Sequence, residues 1–137
     1  MLRRPSDPGD VAAVIEHLVH LFGVIGSPAF AMDADLLRRN CERVARRGYY
    51  PAGTARQLLA ILASGDRRRD LAKIRAPTLV IHGTHDPLLP AAAGRDTARH
   101  IPDARLILID GMGHDLPPAL TPRLIATIAD HCRAAEG

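Results

Sequence analysis

Two residues of this sequence have the type and the setting to do acid–base chemistry together. Asp86 stands in the turn Gly83-Thr84-His85-Asp86-Pro87, which follows the apolar run Thr78-Leu79-Val80-Ile81. His114 stands behind Gly111-Met112-Gly113, which follows a second run, Arg105-Leu106-Ile107-Leu108-Ile109. A carboxylate bonded to an imidazole holds the ring in one tautomer and stabilises its protonated form. The other ring nitrogen can then act first as general base and later as general acid. These are two of the three groups of a nucleophile–base–acid triad. A lone Asp in a turn would only cap it. The pairing is more informative, because each residue follows its own strand in a glycine-containing turn, and the acid precedes the base.

The third group has no counterpart in the sequence. The serines are Ser6, Ser27 and Ser64, and none lies in a Gly-x-Ser-x-Gly frame on a strand-to-helix turn. Gly26-Ser27-Pro28 lacks the second glycine and follows a helical pattern. His82-Gly83 belongs to the acid strand and is no oxyanion segment. His82 and His85 flank Asp86 and invite a metal reading, but along a strand and turn their side chains diverge. His17 and His20 share a helix face without a third ligand at suitable spacing. The sequence therefore implies no metal and no cofactor.

The elements that must carry the two residues are short. Thr78 to Ile81 is β-branched and continuously apolar, which suits a strand buried on both faces. Helix-forming residues return over 91–100, a second strand covers 105–109, and residues 120–135 read as a terminal helix with Leu124, Ile125, Ile128 and Ala129 inward. Strand, helix, strand, helix implies a crossover and a parallel pair. In open α/β sheets functional groups gather at the carboxyl ends of the strands, where Asp86 and His114 both lie. Everything before Ala76-Pro77 is helical. One helix over 7–22 is closed by Gly23 and the Gly26-Ser27-Pro28 cluster, and a second over 33–47 has Asp33 as cap and Leu36, Leu37, Val44 and Ala45 inside. A third over 52–64 carries a stripe of Thr54, Leu58, Leu59, Ile61 and Leu62, and a helical turn covers 70–74. Tyr49-Tyr50 either lines a substrate mouth or anchors a loop on the core.

Composition narrows the class. With 137 residues and 47% apolar content the chain supports one ordered core. Aromatics are 3%, which leaves few platforms for stacking single-stranded nucleic acid. The net charge is +3, and Lys73 is the only lysine among 18 basic residues. The arginines are scattered among acids with no nucleic-acid motif, so nucleic acid is not an expected partner. No apolar stretch approaches the roughly 20 residues of a membrane span. Met1-Leu2-Arg3-Arg4-Pro5 is not followed by the apolar region of a secretory signal. Cys41 and Cys132 lack metal or redox spacing and read as reduced thiols, so the cytoplasm is the expected compartment.

The segments Thr78-Leu79-Val80-Ile81-His82-Gly83-Thr84-His85-Asp86-Pro87-Leu88-Leu89-Pro90 and Gly111-Met112-Gly113-His114-Asp115-Leu116-Pro117 resemble the acid and histidine segments of α/β-hydrolase-fold enzymes. The second is most similar to the branch of small esterases that includes aclacinomycin methylesterase. The resemblance implies Asp86 as triad acid and His114 as triad base. It also implies that residues 1–74 are a helical lid-like region and residues 75–137 the C-terminal part of the hydrolase core, with an incomplete sheet. On that reading the sequence lacks the first strands, the nucleophile and the oxyanion donors. It corresponds to a truncated or split carboxylic-ester hydrolase, inactive alone, that acts on a small-molecule ester when completed. The unpaired strand edge and uncovered apolar faces predict marginal stability, self-association, or a partner carrying the N-terminal hydrolase half. A different class also fits, a non-catalytic binding module derived from a hydrolase. Dehalogenase or epoxide chemistry on the same fold stays open, because the nucleophile that would decide it is missing from the sequence.

Overall fold

The computed structural model describes residues 5 and 7–136. Ser6 and the charged stretch from Met1 to Arg4 lie outside the described residues. The chain divides into two compact units, one formed by Met1–Val24 with Asp33–Asp66, the other by Ile25–Met32 with Arg67–Gly137.

In the first unit, α1 (Val11–Ile25) starts where Asp10 Oδ1 accepts the Ala13 N–H at 3.0 Å. That bond satisfies an amide the helix cannot pair internally. Gly23 lies inside this helix, which runs on to Ile25 and ends directly before the Gly26-Ser27-Pro28 cluster. Helix α2 (Ala34–Arg47) is capped by Asp33, whose Oδ1 accepts from Leu36 N–H at 2.9 Å, and it ends at Gly48 with φ 134°. Val14, Ile15 and Leu18 of α1 bury against Cys41 and Ala45 of α2. Burial pushes the Cys41 thiol up, with the nearby Arg38 charge opposing. Tyr49 packs on this core and meets the His17 ring edge-on, whereas Tyr50 is exposed beneath the Arg56 guanidinium. Of the pair, only Tyr49 is an anchor.

Helix α3 (Pro51–Ala63) departs from expectation. It buries none of its residues, and the stripe of Leu58, Leu59, Ile61 and Leu62 is exposed, Leu62 to 69%. On α2, Val44 is likewise exposed.

The second unit holds the predicted strand pair. Strand β1 (Leu79–Gly83) pairs in parallel with β2 (Arg105–Ile109), in a register running from Leu79↔Arg105 to Gly83↔Ile109. Between them in sequence, α5 (Ala91–His100) packs on both strands and on the single turn α4 (Arg68–Leu71). A 3-10 turn at Pro118–Leu120 leads into α6 (Thr121–Glu136). The core joins Ile109, Met112, Leu120 and Leu124, with Phe30, Ile81 and Ile107 against it. Residues 25–32, which the sequence pattern grouped with the helices, belong to this unit. On α6 Leu124 alone is buried among the four positions read as inward, and Ile125 and Ile128 are exposed. They line an apolar groove of about 300 Å³ with Ile81, Met112 and Leu116.

Candidate active site

Strands β1 and β2 are neighbours, so the loops leaving their carboxyl ends emerge side by side. Those loops are stitched together by the backbone. Thr84 N–H donates to Ile109 O at 3.0 Å, and His85 N–H donates to Met112 O at 3.0 Å. The Thr84 hydroxyl adds a side-chain stitch, donating to Asp110 Oδ1 at 2.8 Å while accepting the Gly111 N–H at 3.1 Å. Gly111 sits at φ 72°, in the left-handed region that glycine enters without steric cost.

This stitching brings the two residues singled out by sequence together. His114 Nδ1 lies 2.7 Å from Asp86 Oδ2. An ionised carboxylate has no proton to give, so Nδ1 carries the hydrogen and Nε2 is left with its lone pair. The Asp86 side chain is only 6% exposed, and that of His114 is 41% exposed. Both line a cleft of about 260 Å³ whose walls include Ile81, Leu89, Met112 and Leu116. The other carboxylate oxygen, Oδ1, accepts the N–H groups of Leu88 at 2.8 Å and Leu89 at 2.9 Å, closing an Asx turn across Pro87.

Burial is the largest influence on Asp86 and raises its pKa. The Leu89 amide, the His114 ring, the Leu88 amide and the His114 charge together outweigh it and hold the carboxyl below its ordinary value. A carboxyl with a lowered folded-state pKa binds fewer protons folded than unfolded, so its contribution to stability rises with pH. The Asp86 contribution is complete above about pH 4, the ordinary range of an exposed Asp. It is lost as pH falls through the lower folded-state value. Urea midpoints measured from pH 6 down to pH 2.5 are expected to show an acid limb that is shallower in Asp86→Asn. An equal acid limb in both proteins would refute this.

The remaining candidates go elsewhere. His82 Nε2 bonds the Leu89 carbonyl at 2.9 Å, and His85 Nδ1 bonds the Thr84 hydroxyl at 2.8 Å. Among the described residues no group of three His, Cys, Asp or Glu side chains is arranged to hold a metal ion. Ser64 donates its hydroxyl to the Ala60 carbonyl at 2.8 Å, one helical turn back. Ser27 is 4% exposed and bonded on both sides, its hydroxyl donating to Asp115 Oδ1 and accepting the Gly113 N–H at 2.9 Å. With His114 N–H on Ile25 O at 2.8 Å and Ala29 N–H on Gly111 O at 3.2 Å, residues 25–29 brace the loop that carries the imidazole. Sequence reasoning weighed Ser27 only as a nucleophile and missed this bracing role. Thr84 was missed as well, and a single threonine between Gly83 and His85 offers no pattern to find it by.

Known proteins resemble this chain in sequence and in fold. The sequence profile of the family described as "Serine aminopeptidase, S33" matches residues 23–117. A rhodomycin D methylesterase of Streptomyces peucetius is 29% identical over 136 residues, covering 98% of this chain and 45% of the relative. A pimeloyl-[acyl-carrier protein] methyl ester esterase of Nitrosomonas europaea is 39% identical over 69 residues, 50% of this chain and 27% of that protein. Among solved structures, a serine hydrolase involved in carbazole degradation, the CarC enzyme, superposes with a TM-score of 0.67 at 20% identity. That match covers 88% of this chain and 47% of that one, and it bears out the expected α/β-hydrolase architecture. The chain spans less than half the length of each of these relatives.

Proposed function

This chain belongs to the serine aminopeptidase family of α/β hydrolases, and we propose that it supplies the acid–base half of a carboxylic-ester hydrolase. The observation that carries the proposal is the 2.7 Å hydrogen bond from His114 Nδ1–H to Asp86, with Nε2 bare beside a cleft. In this reading Nε2 takes the proton of a serine hydroxyl as its oxygen attacks the ester carbonyl carbon. Asp86 stabilises the imidazolium that forms. His114 then returns the proton to the alkoxide as the bond from the carbonyl carbon to the leaving oxygen breaks, and repeats both transfers with water to release the acid. A methyl ester is the substrate class supported by the names of both relatives. The apolar walls of the cleft suit an uncharged acyl group. No cofactor enters the scheme, and no membrane or nucleic acid is needed. The free thiols Cys41 and Cys132 fit the cytoplasm as the compartment.

The nucleophile and the oxyanion donors lie, in this proposal, outside these 137 residues, on an N-terminal hydrolase half. Supporting it are the absence of a Gly-x-Ser-x-Gly frame and the engagement of Ser27 and Ser64 in structural bonds. The same half would cover Ile125, Ile128 and the outer edge of β1. A second reading, a non-catalytic binding module, is favoured by one observation, the uncovered leucines of α3.

The test is turnover of p-nitrophenyl acetate and butyrate by the purified chain beside His114→Ala. Both proteins are expected to stay at the same background rate. Turnover by the unsubstituted chain that vanishes with His114→Ala would show that a nucleophile is present here, and would overturn the proposed division of labour.

A further inference from the structure

The Asx turn that presents Asp86 has a second anchor on strand β1. Leu89 is bonded at both ends of its own backbone, its N–H to Asp86 Oδ1 at 2.9 Å and its carbonyl to His82 Nε2 at 2.9 Å. A carbonyl oxygen only accepts, so His82 donates, and its hydrogen sits on Nε2. This is the opposite tautomer from that of His114. The His82 ring is held in place by its surroundings, with its side chain 13% exposed. A Cβ placed on Gly94 of α5 would lie 2.8 Å from His82 Cβ and Cγ and 2.9 Å from Nδ1, so the ring rests directly on a helix turn without a side chain. Its Nε2 is 4.0 Å from Asp86 Oδ2, beyond hydrogen-bond range. His82 therefore leaves that oxygen to His114 and acts on the carboxylate only through Leu89.

We propose that His82 is a positioning residue for the Asp86 carboxylate, its Nε2–H holding the Leu89 carbonyl so that the Leu89 amide stays on Oδ1. This rests on the acid–base reading of Asp86 and His114. Burial raises the Asp86 pKa most strongly, and the Leu89 amide is the largest influence that lowers it, so loosening this one amide acts on the group that orients His114. Pro87 has no N–H to offer in its place. A ring on β1 and a glycine on α5 thus determine how tightly a turn on the other side of the ring grips the carboxylate.

The test uses the 15N-labelled full chain and reads histidine tautomers from multiple-bond proton–nitrogen correlations, together with the low-field proton of His114 Nδ1–H. His82 is expected in the Nε2–H form and His114 in the Nδ1–H form. In His82→Phe the low-field resonance is expected to be lost while the methyl spectrum of the core is kept. In His82→Gln, whose side-chain amide can reach the same carbonyl, the resonance is expected to return. His82 in the Nδ1–H form in the unsubstituted chain overturns the proposal without any variant. So does a low-field resonance that is indifferent to His82→Phe. If the unsubstituted chain shows no such resonance and matches Asp86→Asn, the acid–base reading falls, and the positioning role falls with it.

Discussion

Fused behind the amino-terminal part of the Streptomyces peucetius rhodomycin D methylesterase, the chain is expected to hydrolyse p-nitrophenyl esters, and His114→Ala in that fusion to cost about 10⁴-fold or more in kcat. The size follows from the role. Without Nε2 a serine hydroxyl at neutral pH keeps its proton, and only binding and oxyanion donors are left to stabilise the transition state. Asp86→Asn is expected to cost about as much, on the order of 10⁴-fold, for a different reason. An asparagine amide presented to Nδ1 donates where the carboxylate accepted. The imidazole must then carry its proton on Nε2, and it faces the substrate as a donor. Both substitutions leave the apolar walls Ile81, Leu89, Met112 and Leu116 in place, so KM should move far less than kcat. Loss of less than tenfold in kcat for either variant would sink the assignment of Asp86 and His114. A fusion that is folded but inactive before any substitution would favour the binding-module reading.

Gly83→Ala is expected to destabilise the chain by about 3 kcal/mol, the upper end of what overpacking usually costs. A Cβ at Gly83 would overlap Met112 O, and would lie 2.7 Å from Met112 C and 2.8 Å from Gly113 O. All three are backbone atoms, with no rotamer through which to yield. They also belong to the hydrogen-bonded seam between the loops of Asp86 and His114, where Met112 O accepts the His85 N–H. Gly23→Ala is the matching control. It lies inside α1 with nothing within 4 Å of an added Cβ, so it should stabilise by roughly 0.5–1 kcal/mol through helix propensity. Urea midpoints of the two variants should move in opposite directions. A Gly83→Ala midpoint equal to that of the unsubstituted chain would mean that the seam yields more easily than its geometry implies.

The parts of the fold that follow local rules were legible. Asp33 announces α2 because a carboxylate ahead of an apolar periodic stretch has one obvious use, and two β-branched or aliphatic runs ending in glycine turns announce a parallel pair. Asp86 and His114 could be paired because strand direction alone brings both turns to one end. What escaped was what packs on what. The leucines of α3 have helical spacing, and spacing says that a face exists, not that anything covers it. Ile125 and Ile128 look no different from Leu124 in the sequence, yet Leu124 is buried with Ile109 and Met112 while the two isoleucines are exposed. Ser27 and Asp115 are 88 positions apart, and no local pattern links a buried hydroxyl to an amide and a carboxylate so distant.

The brace formed by residues 25–29 determines where this chain can be cut and rejoined. Helix α1 runs into it without a break, so the chain passes between the helical unit and the unit of the imidazole loop at Ile25, again at Asp33 and once more at Arg67. A shuffling experiment that exchanges everything before residue 75 would carry off the carbonyl and hydroxyl that hold the backbone of Gly113 and His114. The modular boundary is crossed three times. The helical unit can be replaced only as two pieces, one ending before Ile25 and one spanning Asp33–Asp66, while residues 25–32 travel with the sheet.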